Sequence, residues 1–141
     1  MKIIVMPRKA AENTATGKPK SEIIVISIYS SGDPPADIKC CEKICRLNFD
    51  DVSSDTVPGT VPFNKGFADQ IIDFMDENLD AKYLLVHCDA GISRSPAVAT
   101  AIAEFYFNDY EFHLHHPCYN RMVYHILRYR MEDRKENECQ K

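Results

Sequence analysis

The sequence lacks a long apolar run, an excess of basic charge, an export signal, an internal repeat and a Cys-x-x-Cys pair. Each absence removes a class of protein. The longest apolar stretches, Ile23–Ile26 and Tyr83–Val86, are strand-sized and fall far short of the ~20 residues a membrane helix requires. Lys and Arg number 17 against 21 Asp and Glu, a net charge of −4. That balance disfavours sequence-independent binding to nucleic acid. The start Met1-Lys2-Ile3-Ile4-Val5 meets Arg8 and Lys9 too soon for a secretory core, so a soluble, cytoplasmic protein is expected. The six cysteines are accordingly read as reduced thiols rather than a disulfide framework.

What is present is enough for one domain. The chain has 141 residues, with 45% hydrophobic and 27% charged, which is sufficient to bury a core and excludes wholesale disorder. Lys2–Met6 reads as a short strand, followed by a polar stretch with a helical turn around Arg8–Glu12. Glu22–Tyr29 is rich in Ile and Val, as in a strand buried on both faces. Cys45, Leu47 and Phe49 alternate with polar residues, which predicts a strand with one wetter face. The flanking segments Ser30–Asp37 and Asp50–Pro62 read as loops. Asn64 can cap a helix whose apolar stripe is Phe67, Ile71, Phe74 and Met75. Lys82–His87 is the next strand. Pro96 suits the first turn of a helix that buries Val98, Ile102 and Phe105. A last helix from about Asn120 is expected to give way to a charged, disordered tail over Glu132–Lys141. Alternating strands and helices indicate an α/β fold: a central, mostly parallel sheet flanked by helices, with residues 1–131 as the domain.

The chemistry is concentrated in Val86-His87-Cys88-Asp89-Ala90-Gly91-Ile92-Ser93-Arg94-Ser95-Pro96. A tight loop between a buried strand and a helix start turns backbone N–H groups and the helix dipole toward one point, an anion site sized for phosphate. Residues Asp89, Ala90, Gly91, Ile92, Ser93 and Arg94 form that phosphate-binding loop, and Gly91 lets the chain turn without a side chain in the way. Cys88, at the head of the loop, lies in the same positive field, which favours the thiolate nucleophile. Arg94 brings a planar fork able to hold two phosphate oxygens. Ser95 offers its hydroxyl to the sulfur, and His87 is expected to brace the loop and tune the thiolate without touching substrate.

This string resembles the signature of the cysteine-dependent protein tyrosine phosphatases, and HCDAGISRSP is most similar to the compact dual-specificity branch. The resemblance implies the tyrosine-phosphatase-like single-domain fold, with its phosphate loop between a strand and a helix. It also implies a two-step, metal-free and cofactor-free hydrolysis through a cysteinyl-phosphate, with an upstream Asp as general acid. The acid follows a hydrophobic-x-hydrophobic-x run in that branch, which maps onto Leu47, Phe49 and Asp51; Asp50 is its neighbour and Asp55 a distant reserve. The implied substrate is a phosphorylated protein or peptide, with phosphotyrosine foremost, acted on by a monomer with no nucleic-acid or membrane partner. Phosphate, sulfate or another oxyanion would occupy the loop. No segment resembles the phosphotyrosine-recognition loop of the larger tyrosine-specific domains, so a shallower cleft that also admits phosphoserine and phosphothreonine is expected. Two other readings compete: a catalytically idle phospho-binding module, and a 5′-triphosphatase acting on RNA, which the acidic balance disfavours.

Other residues are read structurally. Asp89 is expected to point outward as a solvated carboxylate, and it argues against highly charged substrates such as phosphoinositides. Cys40, Cys41, Cys45, Cys118, His113, His115 and His116 are soft or imidazole ligands, yet lack familiar zinc spacing, so no metal is expected. Cys40 or Cys41 is also weighed as a disulfide partner protecting Cys88. Asn120, Arg121 and Arg128 are read as a helix cap and a solvated basic face rather than the site's rim, and Tyr119, Tyr124 and Tyr129 as packing.

Overall fold

The computed structural model describes residues 1–139. Four strands, β1 (Lys2–Pro7), β2 (Ile23–Tyr29), β3 (Lys43–Asn48) and β4 (Tyr83–Cys88), form one sheet in the order β1-β4-β2-β3. Every pairing is parallel, so the sheet is wholly rather than mostly parallel. Parallel neighbours need crossovers. These are supplied by α1 (Arg8–Asn13) between β1 and β2, by the segment 30–42 between β2 and β3, and by α2 (Lys65–Glu77) between β3 and β4; α3 (Arg94–Phe107) and α4 (Arg121–Cys139) follow the last strand.

The alternation of side chains along the strands divides the core in two. Ile24, Ile26, Leu47, Leu84 and Val86 face α2, α3 and α4 in the larger cluster. Ile23, Val25 and Leu85 turn to the opposite face, where Ala11 of α1, Ala36, Ile38, Cys40 and Cys41 cover them. This two-sided cover explains why β2 is buried almost throughout and reads as an apolar run interrupted only by Ser27 before Tyr29.

Two local devices control the segment before α2. Asn64 Oδ1 accepts from the Phe67 N–H at 3.2 Å, capping the helix. Phe49, Phe63 and Phe67 gather with ring centroids 4.9 to 6.0 Å apart. The two ends of the polar loop at 50–62 are thereby held together. Its base is closed further by the Asp50 N–H donating to the Val61 carbonyl at 2.7 Å.

The C-terminal segment departs from expectation. Rather than fraying at Glu132, α4 continues to Cys139; residues 140 and 141 of the expected tail lie outside the described residues. Ion pairs do what apolar residues do elsewhere. Arg130 meets Asp133 at 2.6 Å and Asp69 of α2 at 2.8 Å, while Arg134 meets Asp73 at 2.7 Å. These contacts tie the polar end of α4 to α2. Among the described residues no helix is long and apolar enough to cross a membrane.

Candidate active site

The carboxyl ends of the four strands meet at one edge, the place where open α/β sheets put their ligands. There the register pairs Pro7 with Cys88, Ser27 with His87, and Tyr29 with Asn48. The loop Asp89–Ser93 leaves β4 at this edge and enters α3. Gly91 adopts φ +70, and a Cβ there would lie 2.8 Å from the Met6 carbonyl carbon and the Pro7 nitrogen. The end of β1 therefore presses directly on the loop, and only glycine fits.

Cys88 is 2% exposed, with its sulfur directed into the loop. The Gly91 N–H donates to Cys88 Sγ at 3.3 Å, and Ser95 Oγ lies 3.2 Å from the same atom. The N–H groups of Ala90, Ile92, Ser93, Arg94 and Ser95 have no protein acceptor among the described residues. The loop and the first turn of α3 thus retain a set of backbone donors suited to an anion.

Arg94 is 4% exposed and tightly placed. Its Nη1 donates to the Phe49 carbonyl at 2.8 Å and to Ser30 Oγ at 2.9 Å, and its Nη2 donates to Asp89 Oδ2 at 3.0 Å. The last contact corrects the expectation for Asp89. Its carboxylate does not point away into solvent; it bends back over the loop to the guanidinium and also accepts from Ser30 Oγ at 2.9 Å. Pairing with a nearly buried cation outweighs solvation here. Partial burial works against the charged form of Asp89, but the bonds from Ser30 and Arg94 prevail and hold its carboxyl below the ordinary range.

The two neighbouring aspartates have different surroundings. Asp50 accepts from Ser31 Oγ at 2.6 Å and from the N–H groups of Ser31 and Val61, each at 2.8 Å. The hydroxyl of Ser31 and the Val61 amide depress its carboxyl from the usual value, so it is a fixed anion stapling two loops. Asp51 is exposed and reaches the loop that joins β4 to α3. Its Oδ1 accepts from Ser93 Oγ and from Asn120 Nδ2, both at 2.8 Å, and among the described residues no donor meets its other oxygen. Asp55 lies farther along the exposed loop and has no hydrogen bond among those described.

His87 faces the opposite side of the sheet from Cys88. Fully buried, it meets Ser27 Oγ through Nε2 at 2.5 Å and the Cys88 carbonyl through Nδ1 at 3.4 Å. Burial lowers its basicity, so it is neutral at physiological pH. It braces the strand end and makes no contact with the sulfur.

Several remaining expectations change. Asn120 caps α4 by accepting from the Val123 N–H at 3.1 Å, but it also joins the site through Asp51 and the Val52 carbonyl. Arg128 is not solvated; it pairs with Glu104 at 3.3 Å and Glu132 at 3.1 Å. Arg121 stacks on Tyr119. Tyr119 and Tyr124 pack edge to face, whereas Tyr129 is 78% exposed and packs little. Cys40 and Cys41 belong to the core cluster on the far face from Cys88, which removes the geometric basis for a protective disulfide. No group of three potential metal ligands gathers among the described residues. Ser30 and Ser31 were not singled out by the sequence, because their importance depends on β2 lying beside β4.

No family model and no curated protein matches the chain. Solved structures do match in shape. The human tyrosine phosphatase-like serine/threonine/tyrosine-interacting protein superposes with TM-score 0.60 at 19% identity, covering 97% of this chain and 93% of that one. Tk-PTP in its active form gives 0.60 at 15% identity, over 94% of this chain and 92% of that one. PTPMT1 in complex with PI(5)P gives 0.61 at 14% identity, over 97% and 94% respectively. The chain therefore has the tyrosine-phosphatase-like fold, built as a single small α/β domain.

Proposed function

We propose that the protein is a phosphomonoester hydrolase of the tyrosine or dual-specificity type, acting on phosphorylated protein or peptide. The observation that carries this reading is the convergence on one loop of a nearly buried sulfur, a placed arginine and a reachable carboxyl group. Cys88 attacks phosphorus as thiolate, forming an S–P bond as the P–O bond to the leaving group breaks. Asp51 gives its proton to the departing oxygen. Two donors already occupy Asp51 Oδ1, so the transferable proton resides on the other oxygen. Arg94 and the loop N–H groups take up the equatorial oxygens. Water then attacks phosphorus, Asp51 receives its proton, and the S–P bond breaks to return the thiolate. Ser95 steadies the sulfur as it leaves.

Shape alone does not separate turnover from binding, since a phosphatase-like interacting protein and an active phosphatase superpose equally well. The local chemistry favours turnover, because a thiol, a guanidinium, a hydroxyl and a carboxyl group, those of Cys88, Arg94, Ser95 and Asp51, all border the one loop. Asp89 at the mouth favours singly phosphorylated side chains over headgroups bearing several phosphates. Hydrolysis of para-nitrophenyl phosphate, abolished by Cys88→Ser and by Arg94→Lys, is the expected result. Binding of a phosphopeptide with no Cys88-dependent release of phosphate would establish the idle module instead.

A further inference from the structure

A guanidinium has five N–H donors in a plane. In Arg94 both hydrogens of Nη1 are committed, one to the Phe49 carbonyl and one to Ser30 Oγ, and Nη2 gives one to Asp89 Oδ2. Ser30 Oγ and Asp89 Oδ2 are themselves 2.9 Å apart, with Ser30 donating. The two side chains thus meet the Nη1–Nη2 edge together, as a two-toothed clamp. What remains is the Nε hydrogen and the second Nη2 hydrogen. They form the other two-donor edge of the plane, and neither has a protein acceptor among the described residues. The neutral Phe49 carbonyl anchors one corner; Asp89 supplies the charged grip.

We propose that Asp89, linked through Ser30, is a positioning residue that holds the Arg94 guanidinium with its Nε–Nη2 edge free for the transferring phosphoryl group. This rests on the phosphatase reading above. The arrangement has two opposed effects. A pre-placed fork needs no reorganisation when charge moves onto the phosphoryl oxygens, which raises turnover. A carboxylate beside the same cation weakens the positive field and so weakens binding of any resting dianion. Asp89 therefore exchanges ground-state anion affinity for rate. The depressed carboxyl of Asp89 keeps the clamp charged at neutral pH.

The test uses two substitutions that divide the effects. Asp89→Asn removes the charge but keeps an oxygen to accept from Arg94, so inhibition of para-nitrophenyl phosphate hydrolysis by inorganic phosphate tightens about 5-fold, whatever the change in kcat. Asp89→Ala removes the grip as well, and kcat falls about 10-fold below that of Asp89→Asn. Ser30→Ala lowers kcat by a smaller factor and leaves phosphate inhibition unchanged. Thermal melts accompany each variant; a merely structural role lowers stability, rate and phosphate affinity together and never tightens inhibition. Equal kcat for Asp89→Ala and Asp89→Asn, or unaltered phosphate inhibition in Asp89→Asn, overturns the clamp. If Asp89→Ala does not fold, the phosphate response of Asp89→Asn decides alone. Should the unsubstituted protein show no Cys88-dependent turnover, the hydrolase reading fails. Titration of Cys88→Ser, with and without Asp89→Asn, with inorganic phosphate then still reads the clamp: tighter binding upholds it, equal binding ends it.

Discussion

Replacing each of the adjacent aspartates by asparagine separates chemistry from architecture. In Asp51, Oδ1 accepts from Ser93 and Asn120 while the second oxygen has no donor among the described residues. An amide placed with its oxygen at Oδ1 keeps both bonds and sets its NH2 where no donor stands. Asp51→Asn should therefore cost the fold almost nothing and remove only the acidic proton. In Asp50 both oxygens accept: Oδ1 from the Ser31 N–H, Oδ2 from Ser31 Oγ and the Val61 N–H. Either orientation of an amide leaves its NH2 against a backbone N–H. At least one bond to a charged acceptor is lost, a cost of about 2 kcal/mol. In a chain of this length that lowers Tm by about 4–8 °C. The kinetic expectations are opposite. Loss of a general acid costs roughly 10²–10⁴-fold, felt most on an alkyl phosphate, whose leaving oxygen needs the proton, and far less on para-nitrophenyl phosphate. Asp50→Asn should retain most of its rate below its lowered Tm. Initial rates on both substrates, with calorimetric melts, decide the matter. A normal alkyl-phosphatase rate in Asp51→Asn, or a lost rate with an intact melt in Asp50→Asn, refutes the assignment of roles.

Three further outcomes follow from the same geometry. Gly91→Ala sets a side chain at positive φ and 2.8 Å from the β1 backbone. We expect a penalty of about 3 kcal/mol, a Tm lower by about 6–12 °C and turnover reduced at least about 100-fold; an unchanged melt removes the claim that β1 shapes the loop. Burial pushes the Cys41 thiol to about 12, reinforced by Cys40 beside it, and Cys45 to about 11. Iodoacetamide near pH 7.5 should label Cys88 and the exposed Cys118 while sparing Cys41 and Cys45, with phosphate protecting Cys88 alone; mass spectrometry showing Cys41 labelled as fast as Cys88 contradicts this. His87 is held neutral by burial, its folded value lying below the unfolded 6.5. The unfolded chain takes up its proton first, so the stability His87 contributes is complete above pH 6.5 and lost as pH falls through the folded value. Tm measured from pH 8 to 5 should decline below 6.5, less so in His87→Gln; identical slopes in the two proteins would count against a buried neutral imidazole.

How much of this was legible in the sequence depended on the range of the interaction. Short-range signals were read correctly: the Asn64 cap with its stripe through Ile71 and Met75, the alternation of Cys45, Leu47 and Phe49, and the Ile- and Val-rich β2 each report on local period and burial. The placement of the 89–93 loop between β4 and α3 belongs to the same class, because strand, glycine and helix start are contiguous. The end of α4 was missed because its last turns have no apolar stripe. Their stability comes from Arg130 and Arg134 reaching Asp69 and Asp73, some sixty positions away. Asp89 was misjudged for a related reason. A carboxylate in an anion loop looks misplaced until the sheet order sets β2 beside β4, which brings Ser30 to both Asp89 and Arg94. Ser30 lies 64 positions from Arg94, and nothing in the spacing of either residue announces the other. The parallel sheet makes that contact by collecting all four strand ends at one edge, so the polar groups that orient the arginine come from loops that are distant along the chain. Asp50 illustrates the same principle from the other side: only its bonds to Ser31 and Val61 distinguish it from the adjacent Asp51, although both follow the same strand and carry the same carboxyl group.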